Sequence, residues 1–392
     1  MHRDSENRSQ PVNGRDVLTA DNVVKGTPML TKRILPAAFL AVAALSLTAC
    51  GSGVENASGE EQTFELKLAS YQAPGAAEPI ATEKWAQQIE DATDGRVQIE
   101  FFYQEGLLPG AETLQGVADG RADIGYIADS YYPAQLPLTN IAGLPFMTSS
   151  PEAQGRAFIE LYEDNDALRS EWDAQGVHVM TWAPVPPNVV AMKEPADSLA
   201  DLDGKQVRAI GYSAQAFDLA GMSPVAISQS EVYEALQRGV IEGTSGGSLD
   251  ILTDRDYQEV APHFMDLNSG NYAVTMNVIN LDLWESMPDD IQSAITDASS
   301  GYLDTYLEVL FDQETAACEE LLSAGGTVTL LSESETSDWA ADAKPAVKKI
   351  WLENASSASD ADAFYDTYSE VLAGYEADAK YVPAIQRCAD SE

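Results

Sequence analysis

The sequence contains one motif typical of covalent catalysis, a G-x-S-x-G pentapeptide at residues 243–247. In hydrolases such a pentapeptide places a nucleophilic serine on a sharp turn after a firm strand, with a histidine further along the chain. Here only Val240 and Ile241 offer a strand before the motif, and the one later histidine, His263, follows the serine by 18 residues. The segment 204–206, Gly-Lys-Gln, also lacks the glycine-rich run and the hydroxyl residue of a P-loop. We therefore expect a protein that is not an enzyme and that uses no cofactor.

Residues that could bind a metal are scattered along the chain. The three histidines, His2, His178 and His263, belong to no Cys/His cluster with the spacing of a zinc site. We expect no metal. Two cysteines outside the N-terminal region, Cys318 and Cys388, could pair as a disulfide in an oxidising compartment or stay as two buried free thiols, and export favours the disulfide.

A lipoprotein signal peptide is predicted at residues 29–49. A basic start leads into an apolar run that is too short to cross a bilayer of ~30 Å as a helix, and Leu-Thr-Ala stands directly before Cys50. This order is that of a secretory signal, and the cysteine resembles the lipidated residue of a bacterial lipobox. Residues 50–62 would then be the lipidated cysteine and a flexible tether. We expect translation to start at Met29, with residues 1–28 a non-native extension; an ordinary transmembrane anchor is the alternative.

The charge balance limits the possible partners. The chain has 63 acidic and 22 basic residues and a formal net charge of −41. Such a surface repels nucleic acid and anionic headgroups, while the 45% of hydrophobic residues can bury a core. We expect a monomer outside the cytoplasm, attached to the cell membrane through Cys50 and without nucleic-acid binding.

The elements that would position a site follow an α/β pattern. Alternating apolar residues predict strands, and apolar residues at helical spacing predict the helices between them. Parallel strands with helical crossovers are therefore expected in two successive units. In the first unit the strands are 64–70, 97–101 and 122–127 and the helices 80–93 and 112–118. In the second, the strands are 177–182, 189–192, 206–210, 225–227 and 240–241 and the helices 213–220 and 230–238.

A long helix follows at residues 289–324, with a break at Gly301, and a helical tail at 334–392 is expected to pack on the second unit. Two α/β units without an evident catalytic cluster favour a binding protein of two lobes. Ligands of such sheets bind at the carboxyl ends of the strands, in the crevice between the lobes.

Three segments resemble one family. They are Trp85 to Ile99 with its Thr-Asp-Gly-Arg-Val turn, residues 199–243 with Asp-Leu-Asp-Gly-Lys and Ser-Glu-Val-Tyr-Glu-Ala-Leu-Gln, and residues 283–292. The chain resembles the solute-binding proteins of tripartite ATP-independent periplasmic (TRAP) transporters, of the dicarboxylate-binding (DctP-like) type, over about residues 64 to 325.

The resemblance implies a bilobal, type II-like periplasmic-binding-protein fold, with hinge strands between the lobes and a long helix that braces both. Lobe I would comprise residues 64–184 and 275–312, and lobe II residues 185–274 and 313–392. The ligand, a small organic acid, would close the lobes, and the closed form would dock on a membrane permease driven by an ion gradient.

Arg208 is the first candidate for ligand binding, since it stands where the family places its carboxylate-binding arginine. A planar guanidinium can hold a carboxylate through two parallel charge-assisted hydrogen bonds. An arginine paired with Asp201 or Asp203 on the surface is the alternative. The other candidates follow predicted strands (Tyr71, Gln72, Asp129, Ser130 and Tyr131), lie four residues after Arg208 (Tyr212) or precede a predicted helix (Gln229).

Two positions depart from the family pattern. A second upstream arginine of the family falls near Pro187, and a family asparagine falls at Gly246. Both differences disfavour a C4-dicarboxylate and favour a monocarboxylate, with Gly246 leaving room for bulk. The alternative function is a binding lipoprotein of an ATP-driven (ABC) importer, and a partner of a sensory receptor stays open.

Overall fold

The computed structural model describes residues 62–358 and 360–390, all within one compact unit of residues 60–392. The predictions for the extension, the signal peptide and Cys50 lie outside the described residues. Within those two ranges, no cluster of His, Cys, Asp or Glu is arranged to bind a metal. Every helix described there is too short or too polar to cross a membrane.

The first lobe is built on a five-stranded sheet of order β2-β1-β3-β10-β4. β1 runs parallel to β2 and β3, whereas β10 is antiparallel to β3 and β4. Phe64, Leu66 and Leu68 of β1 are buried and the residues between them are exposed, as the alternating pattern predicts. The strands are β1 (Phe64–Ala69), β2 (Val97–Phe102), β3 (Ile124–Ala128), β4 (Val177–Pro184) and β10 (Val274–Asn280).

The second lobe is built on a six-stranded sheet of order β11-β9-β5-β8-β6-β7. Its strands are β5 (Val189–Met192), β6 (Gln206–Arg208), β7 (Ser223–Val225), β8 (Gly243–Thr244), β9 (His263–Asp266) and β11 (Thr327–Leu330). The strand predicted at 240–241 is wrong, because the N–H groups of both residues bond back to Ala235 O and cannot pair in a sheet. The pairing instead begins at Gly243.

Thirteen α-helices of the described residues surround these sheets. The first seven are α1 (Ala77–Ala92), α2 (Thr113–Ala118), α3 (Pro151–Asp164), α4 (Asp166–Asp173), α5 (Gly211–Leu219), α6 (Val232–Arg238) and α7 (Leu249–Thr253). The others are α8 (Leu281–Ser286), α9 (Asp289–Ser300), α10 (Tyr302–Ser323), α11 (Glu333–Asn354), α12 (Ala361–Glu376) and α13 (Ala384–Ala389). The predicted break of the long helix at Gly301 is present, between α9 and α10.

Helix α10 braces both lobes. Its first half lies in the core of the first lobe, where Tyr306 donates a hydrogen bond to Pro184 O at 2.9 Å. Its second half, with Ala317 and Leu321, lies in the core of the second lobe. The predicted bilobal α/β fold is confirmed, and the chain passes between the sheets from β4 to β5 and from β9 to β10.

The C-terminal helices differ from the predicted packing on the second lobe alone. In α11, Trp339 Nε1 donates to Ala216 O in the second lobe and Trp351 Nε1 donates to Pro137 O in the first, each at 2.9 Å. Helix α12 packs on α3 of the first lobe, with Tyr368 buried against Phe158. The large aromatic side chains of the tail need a deep apolar site, and the first lobe provides it.

Candidate ligand-binding cleft

A cavity of about 330 Å³ lies between the lobes, beside the ends of β3, β6 and β8. The first lobe contributes Asp129, Ser130, Pro133, Asn140 and Gly143. The second lobe contributes residues 210–213, Gln215, Ser245 and Gly246, and the wall is completed by Tyr272 and Asn354. This is the position at which open α/β sheets bind ligands.

Arg208 is the last residue of β6. Its guanidinium lies against Ser245 and Gly246, which line the cavity. Its side chain is buried, Nη1 donates to Ser245 O at 2.9 Å and Nε donates to Ile227 O at 3.4 Å. Among the described residues Arg208 forms no ion pair, so the predicted surface pairing with Asp201 or Asp203 does not occur. A guanidinium has five N–H donors, so three remain for a ligand. Burial lowers the pKa of Arg208, because desolvation penalises the charge.

Gly246 makes the position of this guanidinium possible. Its φ is +94°, and a Cβ on it would lie 2.3 Å from Arg208 Nη1. Only glycine therefore fits beneath the guanidinium. We predicted that Gly246 leaves room for ligand bulk; in the structure Arg208 fills the space that a side chain would occupy.

Asn188, which the sequence did not single out, holds the Gly246 turn in place. Asn188 Oδ1 accepts the Gly246 N–H at 2.8 Å, and Nδ2 donates to Ser213 Oγ at the start of α5 at 3.3 Å. The fully buried amide links the segment after β4, the end of β8 and the first turn of α5. The family's second arginine, which the sequence analysis found missing, falls near Pro187, and the neighbouring Asn188 has a positioning role.

A group of three tyrosines lies in the first lobe, outside the residues that line the cavity. Tyr71 lies 5.3 Å from Tyr131 and 5.4 Å from Tyr126, measured between ring centroids. The Tyr131 ring is 48% exposed, and the charges of Arg255 and Arg208 act on it. Burial raises the pKa of Tyr71 and Tyr131, so both remain neutral hydrogen-bonding groups.

Asp129 and Ser130 line the cavity directly after β3, as their position in the sequence predicts. Asp129 Oδ1 accepts the Val274 N–H at 3.0 Å, which fastens β3 to the start of β10. Burial raises the pKa of Asp129 to about 7, although backbone N–H groups oppose the shift. The carboxyl therefore carries less negative charge than an exposed aspartate.

Tyr212 also lines the cavity, and its hydroxyl accepts a hydrogen bond from Asn354 Nδ2 at 3.3 Å. Gln229 and Gln72, like Tyr71 and Tyr131, lie outside the lining. Gln229 Nε2 bonds the hydroxyl of Tyr257, and Gln72 contacts its surroundings through its backbone, accepting the Gln104 N–H at 2.9 Å.

A second arginine near Arg208, Arg255, was missed by the sequence reasoning. It lies in the turn after α7, and its charge acts on Arg208, Tyr131 and Tyr272. The local pattern shows only a polar turn, and the position of Arg255 near Arg208 depends on how α7 packs. Arg255 therefore adds positive charge near Arg208 but is not among the residues that line the cavity.

The other candidate features have structural partners. Ser245 of the G-x-S-x-G motif is buried and its hydroxyl donates to Arg208 O at 3.1 Å. Cys318 and Cys388 form a disulfide with a Cα–Cα distance of 5.7 Å, which joins α10 to α13. A larger groove of about 420 Å³ runs along α10, but no strand end contributes to its lining.

A cleft between two α/β lobes, with polar side chains of both lobes in its lining, is the arrangement of a solute-binding protein. The chain belongs to the bacterial extracellular solute-binding protein family 7 (DctP), whose family model matches residues 68–354. This is a family of transporter solute-binding proteins that act outside the cytoplasm and not a family of enzymes.

Individual relatives agree with this assignment. The C4-dicarboxylate-binding periplasmic protein DctP of Rhodobacter capsulatus is 24% identical over 306 residues, which are 76% of this chain and 87% of that protein. A TRAP periplasmic solute-binding protein from Desulfovibrio salexigens superimposes with a TM-score of 0.70 at 25% identity, covering 81% of this chain and 98% of that one.

A marine metagenome TRAP solute-binding protein specific for aromatic acid ligands, in complex with 3-hydroxybenzoate, has the same fold. Its TM-score is 0.71 at 23% identity, with 80% of this chain and 99% of that one covered. The predicted relationship to TRAP solute-binding proteins is confirmed, and it favours a TRAP transporter over an ATP-driven importer.

Proposed function

We propose that this chain captures a small monocarboxylic acid in the cleft between its lobes and delivers it to the permease of a TRAP transporter. One observation carries the proposal. Arg208 is buried beside a cavity of about 330 Å³, forms no ion pair within the described residues, and keeps three N–H donors unused. A buried cation without a partner is costly, and a carboxylate ligand would supply the missing charge.

The cavity favours one carboxylate over two. No lysine or arginine belongs to the described lining, and Arg208 reaches it only through the Ser245 and Gly246 wall. Arg255 influences the same tyrosines but does not line the cavity. A second carboxylate in the ligand would therefore lie against Asp129, Asn140 and Gln215, which offer it no positive charge.

Lobe closure would use two of the three chain crossings between the sheets as hinges, at 185–188 and 267–273; the third runs through α10 from β10 to β11. The proposed lobes are the segments on either side, with residues 64–184 and 275–312 in the first. Helix α10 would flex between its two halves, because one half packs in the core of each lobe. The closed form would be the one that the permease recognises.

We further propose that Cys50 carries the lipid that holds the protein at the outer face of the cell membrane, and that the protein acts there as a monomer. The lipobox-like Leu-Thr-Ala before Cys50 supports this. Metabolic labelling with an alkyne fatty acid should mark the native chain and should fail to mark Cys50→Ser. Labelling of the variant would refute the anchor.

The ligand proposal is tested with the purified full chain and a panel of small carboxylic acids, each beside its primary amide. Unfolding is followed by tryptophan fluorescence. A ligand present at 100 times its dissociation constant stabilises the fold by about 2.7 kcal/mol. We expect an acid to raise the melting temperature, its amide to have no effect, and Arg208→Ala to abolish the shift. An acid that stabilises Arg208→Ala as well as the native chain would refute the role of Arg208.

A further inference from the structure

Three carboxamide side chains from separate elements line the same cavity. Asn140 comes from a 3-10 turn of the first lobe, Gln215 from α5 of the second lobe, and Asn354 from the last residue of α11. The sequence separates Gln215 from Asn354 by more than a hundred residues, and only the course of α11 across both lobes brings Asn354 to the cleft.

The nitrogen atoms of two of these groups are already bonded. Asn140 Nδ2 donates to Leu136 O at 2.8 Å and to Asp129 O at 3.1 Å, which uses both of its hydrogens. Asn354 Nδ2 donates to the Tyr212 hydroxyl at 3.3 Å. The carboxamides therefore offer a ligand their three oxygens, together with Gln215 Nε2 and the second hydrogen of Asn354 Nδ2.

The oxygens of all three groups lack partners. Gln215 Oε1 is buried and accepts no hydrogen bond, and in the described part of the chain none reaches Asn140 Oδ1 or Asn354 Oδ1 either. Buried polar atoms in folded proteins are nearly always hydrogen-bonded. Gln215 Oε1 therefore needs a donor, and the oxygens of Asn140 and of the exposed Asn354 can accept from a ligand in the same cavity.

We propose that the ligand is a hydroxylated monocarboxylic acid, with its carboxylate at Arg208 and its hydroxyl groups at Asn140, Gln215 and Asn354. This inference rests on the proposed function. A hydroxyl both donates and accepts, so it satisfies a carboxamide in either orientation. A second carboxylate on the ligand can only accept hydrogen bonds, and the three carboxamide oxygens would repel it. A bare hydrocarbon chain or ring would leave them unpaired.

The volume of the cavity is consistent with a ligand of this kind. About 330 Å³ is equal to the liquid volume of roughly ten water molecules, at ≈ 30 Å³ each. That is room for an acid of about ten to a dozen non-hydrogen atoms, enough for one carboxylate and several hydroxyl groups.

The test compares acids that differ only in their hydroxyl groups. Isothermal titration calorimetry measures the affinity of the full chain for three pairs of acids. The pairs are gluconate and hexanoate, galacturonate and cyclohexanecarboxylate, and 3-hydroxybenzoate and benzoate. We expect the hydroxylated member of at least one pair to bind tenfold or more tightly than its partner. If each hydroxyl-free acid binds as tightly as its partner, this inference is overturned and the carboxylate site stands. If no acid binds, the proposed function fails with it.

Variants of the carboxamide residues test whether these side chains cause the preference for the hydroxylated acid. Gln215→Met and Asn354→Ala should each weaken the hydroxylated acid about tenfold and leave its hydroxyl-free partner unchanged. Gln87→Met is the matched control, because Gln87 lies exposed on α1 and bonds Asp91. Asn354 is exposed, so its replacement leaves the fold intact even where Gln215→Met does not. An equal loss for both members of a pair would mean a structural role and would overturn the proposal.

Discussion

The replacement Gly246→Ala tests whether Arg208 is the anion-binding group. The new Cβ would lie 2.3 Å from Arg208 Nη1, so the guanidinium must leave its place beside Ser245 O. A hydrogen bond to a charged group contributes about 1.5–3 kcal/mol. If the displaced guanidinium loses one such bond to the ligand, affinity for the acid should fall roughly ten- to hundredfold, at 1.4 kcal/mol per factor of ten. Isothermal titration with the acid found in the panel measures this.

The control for this prediction is Gly120→Ala. Gly120 has a similar backbone conformation, with φ +72°, but a Cβ there meets nothing within 4 Å. Both variants should lose about 1–2 kcal/mol of stability from a left-handed alanine, and only Gly246→Ala should lose affinity. In the Arg208→Ala background Gly246→Ala should have no further effect on binding. Unchanged affinity in Gly246→Ala, or equal losses in both glycine variants, would refute the reasoning.

Three further predictions concern charge and covalent linkage. Arg255→Gln should weaken acid binding by about three- to tenfold, and less at high salt, because Arg255 acts on the Arg208 site through space; equal affinity at low salt would contradict this. Burial and Asp250 raise the pKa of Glu78 from 4.5 to about 7, so the stability that its neutral form provides is present below pH 4.5 and is lost as the pH rises through 7. Glu78→Gln should therefore gain about 3 kcal/mol relative to the native chain between pH 4 and pH 8.5 in urea unfolding, and a difference independent of pH would argue against it. Removing the Cys318–Cys388 disulfide, whose sequence separation is 70, with Cys388→Ser should cost about 4 kcal/mol of unfolding free energy, and a dithiothreitol effect on the variant as large as on the native chain would contradict this role.

The fold could be predicted from the sequence because its signals are local. Alternation in β1, helical spacing in α1 and the break at Gly301 each depend on neighbouring residues. The strand predicted at 240–241 failed because the α-helix before it captures two N–H groups, which apolar character alone does not reveal. Asp129 could be predicted as a cavity residue because it follows a predicted strand, and Tyr212 because it lies four residues after Arg208.

The remainder of the site depends on contacts between distant segments. Asn354 reaches the cleft only because Trp339 and Trp351 fix α11 on different lobes. The role of Gly246 is visible only from the distance between its Cα and Arg208, because a glycine in a sequence equally indicates space for a ligand. Arg255 is in a polar turn whose position is set by the packing of α7. No local pattern contains these distances.

The proposed anionic ligand must approach a protein with a net charge of −41. At physiological ionic strength charges more than about 8 Å from the site are largely screened, so the potential in the cleft depends on the groups that face it. Arg208 is buried, where a charge acts more strongly than in water. Asp129 is the one carboxyl of the described lining, and its raised pKa of about 7 reduces its negative charge near neutral pH. The burial that makes Arg208 effective therefore also weakens the opposing carboxyl, and the acidic surface does not prevent anion binding.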